Sequence, residues 1–207
     1  MMMILSVLCA GMLVEAHYVK YIQHNSIKWV HHSSVTTNPK SNSRWNAESR
    51  YAVVALSPDP TVAAGKSVSG YATITQFNVG EPSIVTLDIK GLEPNSIHGL
   101  HFHEFGAIWP NCTSAGAHWN PSKVTHGDPS TPTRHHGDLG NFKVNENGAG
   151  LFSSENNLLT LYGENSVIGR SLVVHEKIDD LGKGGDNGSI TVGNSGARLA
   201  CGVVGRS

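Results

Sequence analysis

The stretch that decides the structure and chemistry of this chain runs from His98 to Asp138. It contains HGLHFHEFG at 98–106, CTSAGAHWNP at 112–121, HGDP at 126–129 and RHHGDLG at 134–140. Seven of the 12 histidines of the chain lie within it. Imidazoles spaced by glycines and prolines, with one carboxylate, are what a metal site built partly on a strand and partly on a loop needs. We therefore predict a metal centre in this stretch.

The first pair of this cluster, His101 and His103, lies two residues apart in a segment rich in apolar residues. Residues i and i+2 of a β-strand project from one face, so both imidazoles can reach one ion. A lone His-x-His pair is as often two outward polar residues; the surrounding cluster is what favours metal binding. Neutral imidazole suits zinc and copper, and a tetrahedral set of histidines with one aspartate favours zinc.

The composition sets limits on the architecture and on the partners. A chain of 207 residues and 22.1 kDa fits one globular domain with an appendage. With 15 basic and 16 acidic residues it has no overall field that would attract a polyanion, so we expect no nucleic-acid partner.

The first 16 residues form a short apolar run, ILSVLCAGMLV, that ends in small residues at the positions a signal peptidase reads. We interpret residues 1–16 as a secretory signal and predict a secreted, extracellular protein whose mature chain begins near His17. The alternative is a buried first strand or helix. The run is too short to span a bilayer. Removal of Cys9 would leave Cys112 and Cys201 as a pair that can be oxidised outside the cell.

Residues 17–50 are polar and aperiodic. We predict that they form a mostly disordered arm. Its four histidines have a spacing that fits no rigid site, so solvated loop histidines are a better interpretation than metal ligands. They are His17, His24, His31 and His32.

From Tyr51 onward, short segments rich in Val, Ile, Thr and aromatic residues alternate with turn residues. With no convincing helical period, this pattern predicts an all-β domain over 51–207, an antiparallel sandwich or barrel of eight strands. Two long stretches, 106–137 and 176–197, do not fit strands, and we expect both to fold over the metal site. The predicted strands are YAVVALS, SVSGYATITQF, SIVTLDI, IHGLHFHEF, NFKVN, LLTLYG, RSLVVHE and RLACGVV.

Six motifs in this order closely resemble the copper/zinc superoxide dismutase family, over roughly residues 51–205. They are HFHEFG at 101–106, CTSAGAH at 112–118, GDLG at 137–140, GRSLVVHEK at 169–177, DDLGKG at 179–184 and GARLACG at 196–202. The family is a β-sandwich family, and the resemblance implies a Greek-key fold. It also implies a homodimer that pairs through regions corresponding to 106–109 and 202–205.

The resemblance implies two metal ions that share one imidazole. Copper would lie on His101, His103, His118 and His175, and zinc on His118, His126, His135 and Asp138. His136 would not be a ligand. The implied activity is that of an oxidoreductase that converts superoxide to dioxygen and hydrogen peroxide by alternate reduction and oxidation of copper, with zinc structural.

The resemblance also implies roles for residues around the metals. Arg198 would draw the anion to copper, and the bridging His118 would double as a proton donor. Asp179 would link the copper-side and zinc-side histidines and tune the metal affinity. A disulfide between Cys112 and Cys201 would fix the neighbouring loop near the metals.

Some residues depart from the family pattern. The segment DNGSITV at 186–192 replaces charged residues common in the loop that guides the substrate, although Arg198 and Lys183 remain, so guidance over long distance would be weaker. Asn187-Gly188-Ser189 and Asn111-Cys112-Thr113 match the glycosylation pattern, the first being the better acceptor. Two alternatives stay open. One is a copper or zinc carrier; the other is a domain of a copper chaperone, against which the absence of a Cys-x-x-Cys motif counts.

Overall fold

The computed structural model describes residues 3–9, 12–23, 26–35, 49–61 and 68–207. The chain divides into two units, Met1–Ala47 and Glu48–Ser207. The first unit contains a three-stranded antiparallel sheet in the order β1-β2-β3. Its strands are β1 (Met3–Cys9), β2 (Met12–Gln23) and β3 (Ser26–Val35).

This sheet lies where the sequence predicts an export signal and a disordered arm. The strands β2 and β3 lie partly within the predicted arm, residues 36–48 lie outside the described residues, and the disorder of the arm stays a prediction. The segments VKYI and IKWV supply β-branched and aromatic residues, which favour strands despite the polar composition around them. The export signal at residues 1–16 stays a prediction.

The second unit is the all-β domain. Its eight strands form one antiparallel sheet in the order β8-β7-β10-β11-β4-β5-β6-β9, and a bridge between Val144 and Gly150 brings the two edge strands together into a nearly closed barrel. The prediction of an eight-stranded antiparallel Greek-key barrel is confirmed. The strands are β4 (Arg50–Pro58), β5 (Ser69–Gln76), β6 (Ser83–Lys90), β7 (Ile97–His103), β8 (Asp138–Lys143), β9 (Ala149–Asn156), β10 (Ser171–His175) and β11 (Arg198–Arg206).

Most strands bury one face in the barrel, but β7 and β10 are buried on both. In β6, Val85, Leu87 and Ile89 point inward and alternate with more exposed residues. All of β10 and all but the first residue of β7 are buried. Since the core takes one face of these two strands, another part of the chain must cover the second face, and that covering is where the site lies.

One predicted strand is wrong. LLTLYG at 158–163 is irregular, and the last strand before it is β9. Leu159 and Leu161 are nevertheless buried in the core. Their backbone N–H groups donate to the side-chain oxygens of Asn156 and Gln76, at 2.9 and 2.7 Å. Side chains therefore satisfy the backbone that a neighbouring strand would otherwise satisfy, which the apolar alternation did not reveal.

Two long loops connect strands of the barrel, one after β7 and one after the antiparallel neighbour β10. The loop between β7 and β8 contains a 3-10 helix, Cys112–Ala115, and the loop between β10 and β11 contains α1 (Asn187–Val192). No sequence pattern indicated α1, because a helix of six residues is too short to show a helical period. Its signals are the N-cap Asp186 and the left-handed Gly193. The backbone N–H of His126 donates to Ile190 O at 2.9 Å, so the two loops are joined to each other.

Candidate metal centre

The outer face of β7 and its neighbour β10 supplies the first three histidines. His101 and His103 project from the same face of β7, as alternation predicts, and His175 ends the adjacent strand. All three are buried. The Nε2 atoms of His103 and His175 lie 3.2 Å apart, and the ring of His101 lies 4.8 Å from that of His175.

His118 enters this group from the first long loop. It forms a β-bridge with His103, and the next residue, Trp119, donates its N–H to Phe102 O at 2.8 Å. These contacts bring the His118 ring to 3.9 Å from that of His101. One ligand atom from each of His101, His103, His118 and His175 can therefore lie within 4.8 Å of the others.

A second set converges on the carboxylate of Asp138, the first residue of β8. Its Oδ1 lies 3.1, 3.0 and 3.3 Å from the Nδ1 atoms of His118, His126 and His135. Four ligands held tetrahedrally at the usual zinc distance of about 2.0 Å are about 3.3 Å apart, so these spacings fit one zinc ion. Gly137 makes this approach possible, because a Cβ there would lie 2.2 Å from Phe102 O.

His101 also lies within reach of the second set. It groups with His118, His126 and Asp138 within 4.8 Å. Its Nε2–H, however, donates to Asp179 Oδ2 at 2.8 Å, so only Nδ1 is free to bind an ion. The buried Nδ1 has no hydrogen-bond partner.

Asp179 joins the two sets. It is 2% exposed, and its two oxygens accept from His101 Nε2–H and His126 Nε2–H, each at 2.8 Å. These bonds outweigh burial and hold the pKa of Asp179 well below its usual value. The carboxylate is therefore ionised and fixes the tautomer of both rings.

The remaining histidines are oriented by backbone carbonyls. His103 Nδ1–H donates to Gly116 O at 2.9 Å, and His135 Nε2–H donates to Val124 O at 3.1 Å. In each case the other nitrogen faces the set to which the residue belongs. His118 differs: its Nδ1 faces Asp138, while its buried Nε2 has no hydrogen-bond partner. A buried nitrogen without a hydrogen-bond partner, in a cluster of imidazoles, is suited to bind a metal ion.

The electrostatics favour neutral imidazoles at the first set. Burial, reinforced by neighbouring histidines, lowers the pKa of His118 to about 3 and that of His103 and His175 well below the usual value. At the second set, burial is outweighed by hydrogen bonds to Asp138 and Asp179, which raise the pKa of His126 to about 9. Neutral imidazole is the form that binds one metal ion, so His103 and His175 need release no proton at neutral pH.

Arg198 begins β11 beside the 3-10 helix. Its guanidinium donates to Cys112 O and Gly116 O, each at 2.6 Å. The predicted disulfide between Cys112 and Cys201 is present and closes a sequence separation of 89. The structure thus ties Arg198 to the loop that precedes His118.

Comparison with known proteins agrees with this geometry. The sequence profile of copper/zinc superoxide dismutase (SODC) matches residues 68–204. The chain is 49% identical over 140 residues to a "Superoxide dismutase [Cu-Zn]" of Cryptococcus neoformans, covering 68% of this chain and 91% of that protein. It is 48% identical over 138 residues to the protein of that name from Saccharomyces cerevisiae, covering 67% and 90%, and 45% identical over 143 residues to "Superoxide dismutase [Cu-Zn] 5" of Dictyostelium discoideum, covering 69% and 93%.

The chain belongs to the copper/zinc superoxide dismutase family. In this dismutase-family chain the seven residues predicted as metal ligands lie together, and two sets of donors suited to copper and zinc share His118. His136, expected not to be a ligand, forms a hydrogen bond with Ser122 Oγ at 2.8 Å and is in neither set. Among the described residues, no helix is long and apolar enough to cross a membrane.

Two contacts of this dismutase-family chain were not predicted. The Lys183 ammonium, expected to guide the substrate, lies 2.7 Å from the carboxylate of Asp128, which compensates its charge. The buried Asp59 carboxylate accepts the N–H of Cys112 at 2.7 Å. Each contact joins residues more than 50 positions apart, and neither Asp128 nor Asp59 belongs to a metal-ligand spacing that would have pointed to it.

Proposed function

We propose that this protein is a superoxide dismutase that converts two superoxide ions and two protons to dioxygen and hydrogen peroxide. One observation carries the proposal: His118 faces one donor set with Nδ1 and the other with Nε2, so a single imidazole can join two ions. When bound, copper supplies one-electron chemistry, because Cu(II) can accept an electron from one superoxide and Cu(I) can give an electron to a second.

The ring nitrogens left free by the surrounding hydrogen bonds suggest which residue holds which ion. The first set, three histidines on two strands and His118 from the first long loop, offers four nitrogens and suits copper. The second set, with one carboxylate, suits zinc. We assign copper to His101, His103, His118 and His175, and zinc to His118, His126, His135 and Asp138.

His118 and Arg198 act on the substrate in this proposal. His118 would carry no proton with an ion on each nitrogen, and its Nε2, when no ion occupied it, would hold a proton for the reduced oxygen species. Arg198 has five N–H donors, and its carbonyl contacts use only part of them. The remaining donors can hold an anion beside the first set.

The test compares superoxide decay in protein loaded with copper and zinc. His175→Ala removes a ligand of the first set alone, so we expect loss of bound copper and of most of the activity. His136→Ala is the matched control, because it removes an imidazole adjacent to the ligand His135 but outside both sets. Equal rates for the unsubstituted protein and His175→Ala would refute the copper assignment, and would favour a metal carrier.

The outer surface supports a homodimer. Val53, Phe105, Trp109 and Val203 are 47, 54, 85 and 37% exposed. Val203 lies next to Gly106, where a Cβ would meet its Cγ1 at 3.3 Å, and β4 and β11 are paired. Exposed apolar side chains close together on a monomer favour an interface. Light scattering should show a dimer for the unsubstituted protein and a monomer for Phe105→Glu. Leu151→Glu, an exposed control on β9, should remain a dimer. A monomer before substitution would refute the homodimer.

We further propose that the protein is exported, with a mature chain that begins near His17. If it is exported, Asn187 is the better glycan acceptor, since it is exposed at the start of α1. The Asn111 side chain instead accepts the Thr113 N–H at 3.0 Å, next to a disulfide. Mass spectrometry of the product from the culture medium tests both points. A product that retains Met1 would refute export, and a glycan on Asn111 alone would refute the choice of acceptor.

A further inference from the structure

The position of Arg198 depends on a loop. Its guanidinium donates to the carbonyls of Cys112, Thr113 and Gly116, and none of the ion pairs formed by the described residues includes it. Any displacement of the segment 112–116 would therefore displace the guanidinium.

His103 of β7 holds the Gly116 end of this segment, and two ties hold the Cys112 end to the barrel. One is the disulfide from Cys112 to Cys201 in β11. The other is Asp59, just after β4, whose Oδ2 accepts the Cys112 N–H at 2.7 Å. Asp59 is 3% exposed, and its Oδ1 accepts both the N–H and the hydroxyl of Thr61. Both carboxylate oxygens are thus engaged, which is how a buried carboxylate is kept ionised.

Asp59 is itself fixed next to Arg198. Its backbone N–H donates to Leu199 O at 2.8 Å, the residue that follows the arginine. Burial lowers the pKa of Arg198, and the charge of Asp59 opposes that effect. The carboxylate therefore touches the Cys112 amide, while the Cys112 carbonyl touches the guanidinium.

We propose that Asp59 is a positioning residue for Arg198: by holding the Cys112 amide, it places the Cys112 carbonyl, which accepts from the guanidinium. The role of Arg198 in binding the anion rests on the proposed function. A carboxylate that only compensated the charge of Arg198 would have the opposite effect on anion binding, because its removal would strengthen the attraction for an anion.

The experiment uses the full chain loaded with copper and zinc, with azide as the anion probe. Asp59→Asn keeps the size of the side chain but leaves one oxygen to accept two sets of donors. We expect hydrogen exchange of the Cys112 amide to become about tenfold faster, the scale of one lost hydrogen bond. We expect azide, titrated by its visible absorption with Cu(II), to bind several-fold more weakly. Asp88→Asn, an exposed carboxylate on β6, should change neither quantity.

Two results would overturn the proposal. Tighter azide binding with unchanged Cys112 exchange would show charge compensation alone, and no change in either quantity would show no role. If Asp59→Asn does not fold, Thr61→Val removes only the hydroxyl that supports the carboxylate. Thr61→Val should also speed exchange of the Cys112 amide and weaken azide binding, each by less than is expected of Asp59→Asn. If it does neither, the proposal is overturned. If the proposed dismutase function failed, the unsubstituted loaded protein would not accelerate superoxide decay, whereas amide exchange is measured independently of turnover.

Discussion

Replacement of Asp179 by alanine should weaken both metal sites. The carboxylate holds one histidine of each set, His101 and His126, each at 2.8 Å. Loss of a partner that orients a metal ligand typically lowers affinity by 10–100-fold, or about 1.4–2.7 kcal/mol. His101 stays fixed by the β7 ladder and by its stack on His118, whereas His126 lies on a loop. We therefore expect about a 100-fold loss for zinc and about a tenfold loss for copper.

The assay is competition with a chromophoric chelator, for each metal separately. Asp180→Ala is the matched control, because that carboxylate lies in the same loop but accepts hydrogen bonds from Ser189, Gly182 and Asn194 rather than from histidines. It should leave both affinities within about threefold, since it touches no ligand. The reasoning is wrong if both variants lower the affinities equally, or if Asp179→Ala weakens copper more than zinc.

Three further predictions concern stability and charge. Replacing Cys112 and Cys201 by serine removes a bridge over a separation of 89 residues and should lower the free energy of unfolding by about 4.6 kcal/mol in urea titration. The pKa of Asp59 lies below its usual 3.8 despite burial, because Thr61 and Cys112 donate hydrogen bonds to it. The ionised carboxylate therefore adds to the free energy of unfolding above pH 3.8, and this stabilisation is lost as the pH falls below 3.8. Urea titration should show the difference in stability between the unsubstituted protein and Asp59→Asn shrink over that range. Because Asp128 compensates Lys183, Lys183→Gln should change the rate of superoxide decay less than about twofold at low salt in pulse radiolysis.

Local patterns predicted most strands of the barrel because these are rich in Val, Ile, Thr and aromatic residues and end in turn residues. The strand β9, AGLFSSEN, has few such residues and was not predicted. The patterns failed at LLTLYG, where the side chains of Gln76 and Asn156, and not a neighbouring strand, accept the backbone N–H groups. Such a partner, more than 80 residues away in the case of Gln76, leaves no mark on the local sequence. The same limit explains why the pairing of β4 with β11 could not be read from either strand alone.

The candidate ligands were predictable because the histidines and one aspartate have the spacings found in the copper/zinc superoxide dismutase family. The groups that orient them were harder to find. Asp179 was identified through its motif, but the carbonyls of Gly116 and Val124 act through the backbone, which no residue type signals. Asp59 also escaped notice, because an isolated aspartate after a strand is most often a turn residue.

The donors of the two sets come from different parts of the fold. His101, His103 and His175 stand on barrel strands, whereas His126 and His135 belong to a connecting segment. Exchanging residues 119–137 for a segment with other donors would thus change the ligands of the second set and leave the strand histidines of the first set in place. The barrel would then be a fixed scaffold on which one metal-binding loop can be replaced.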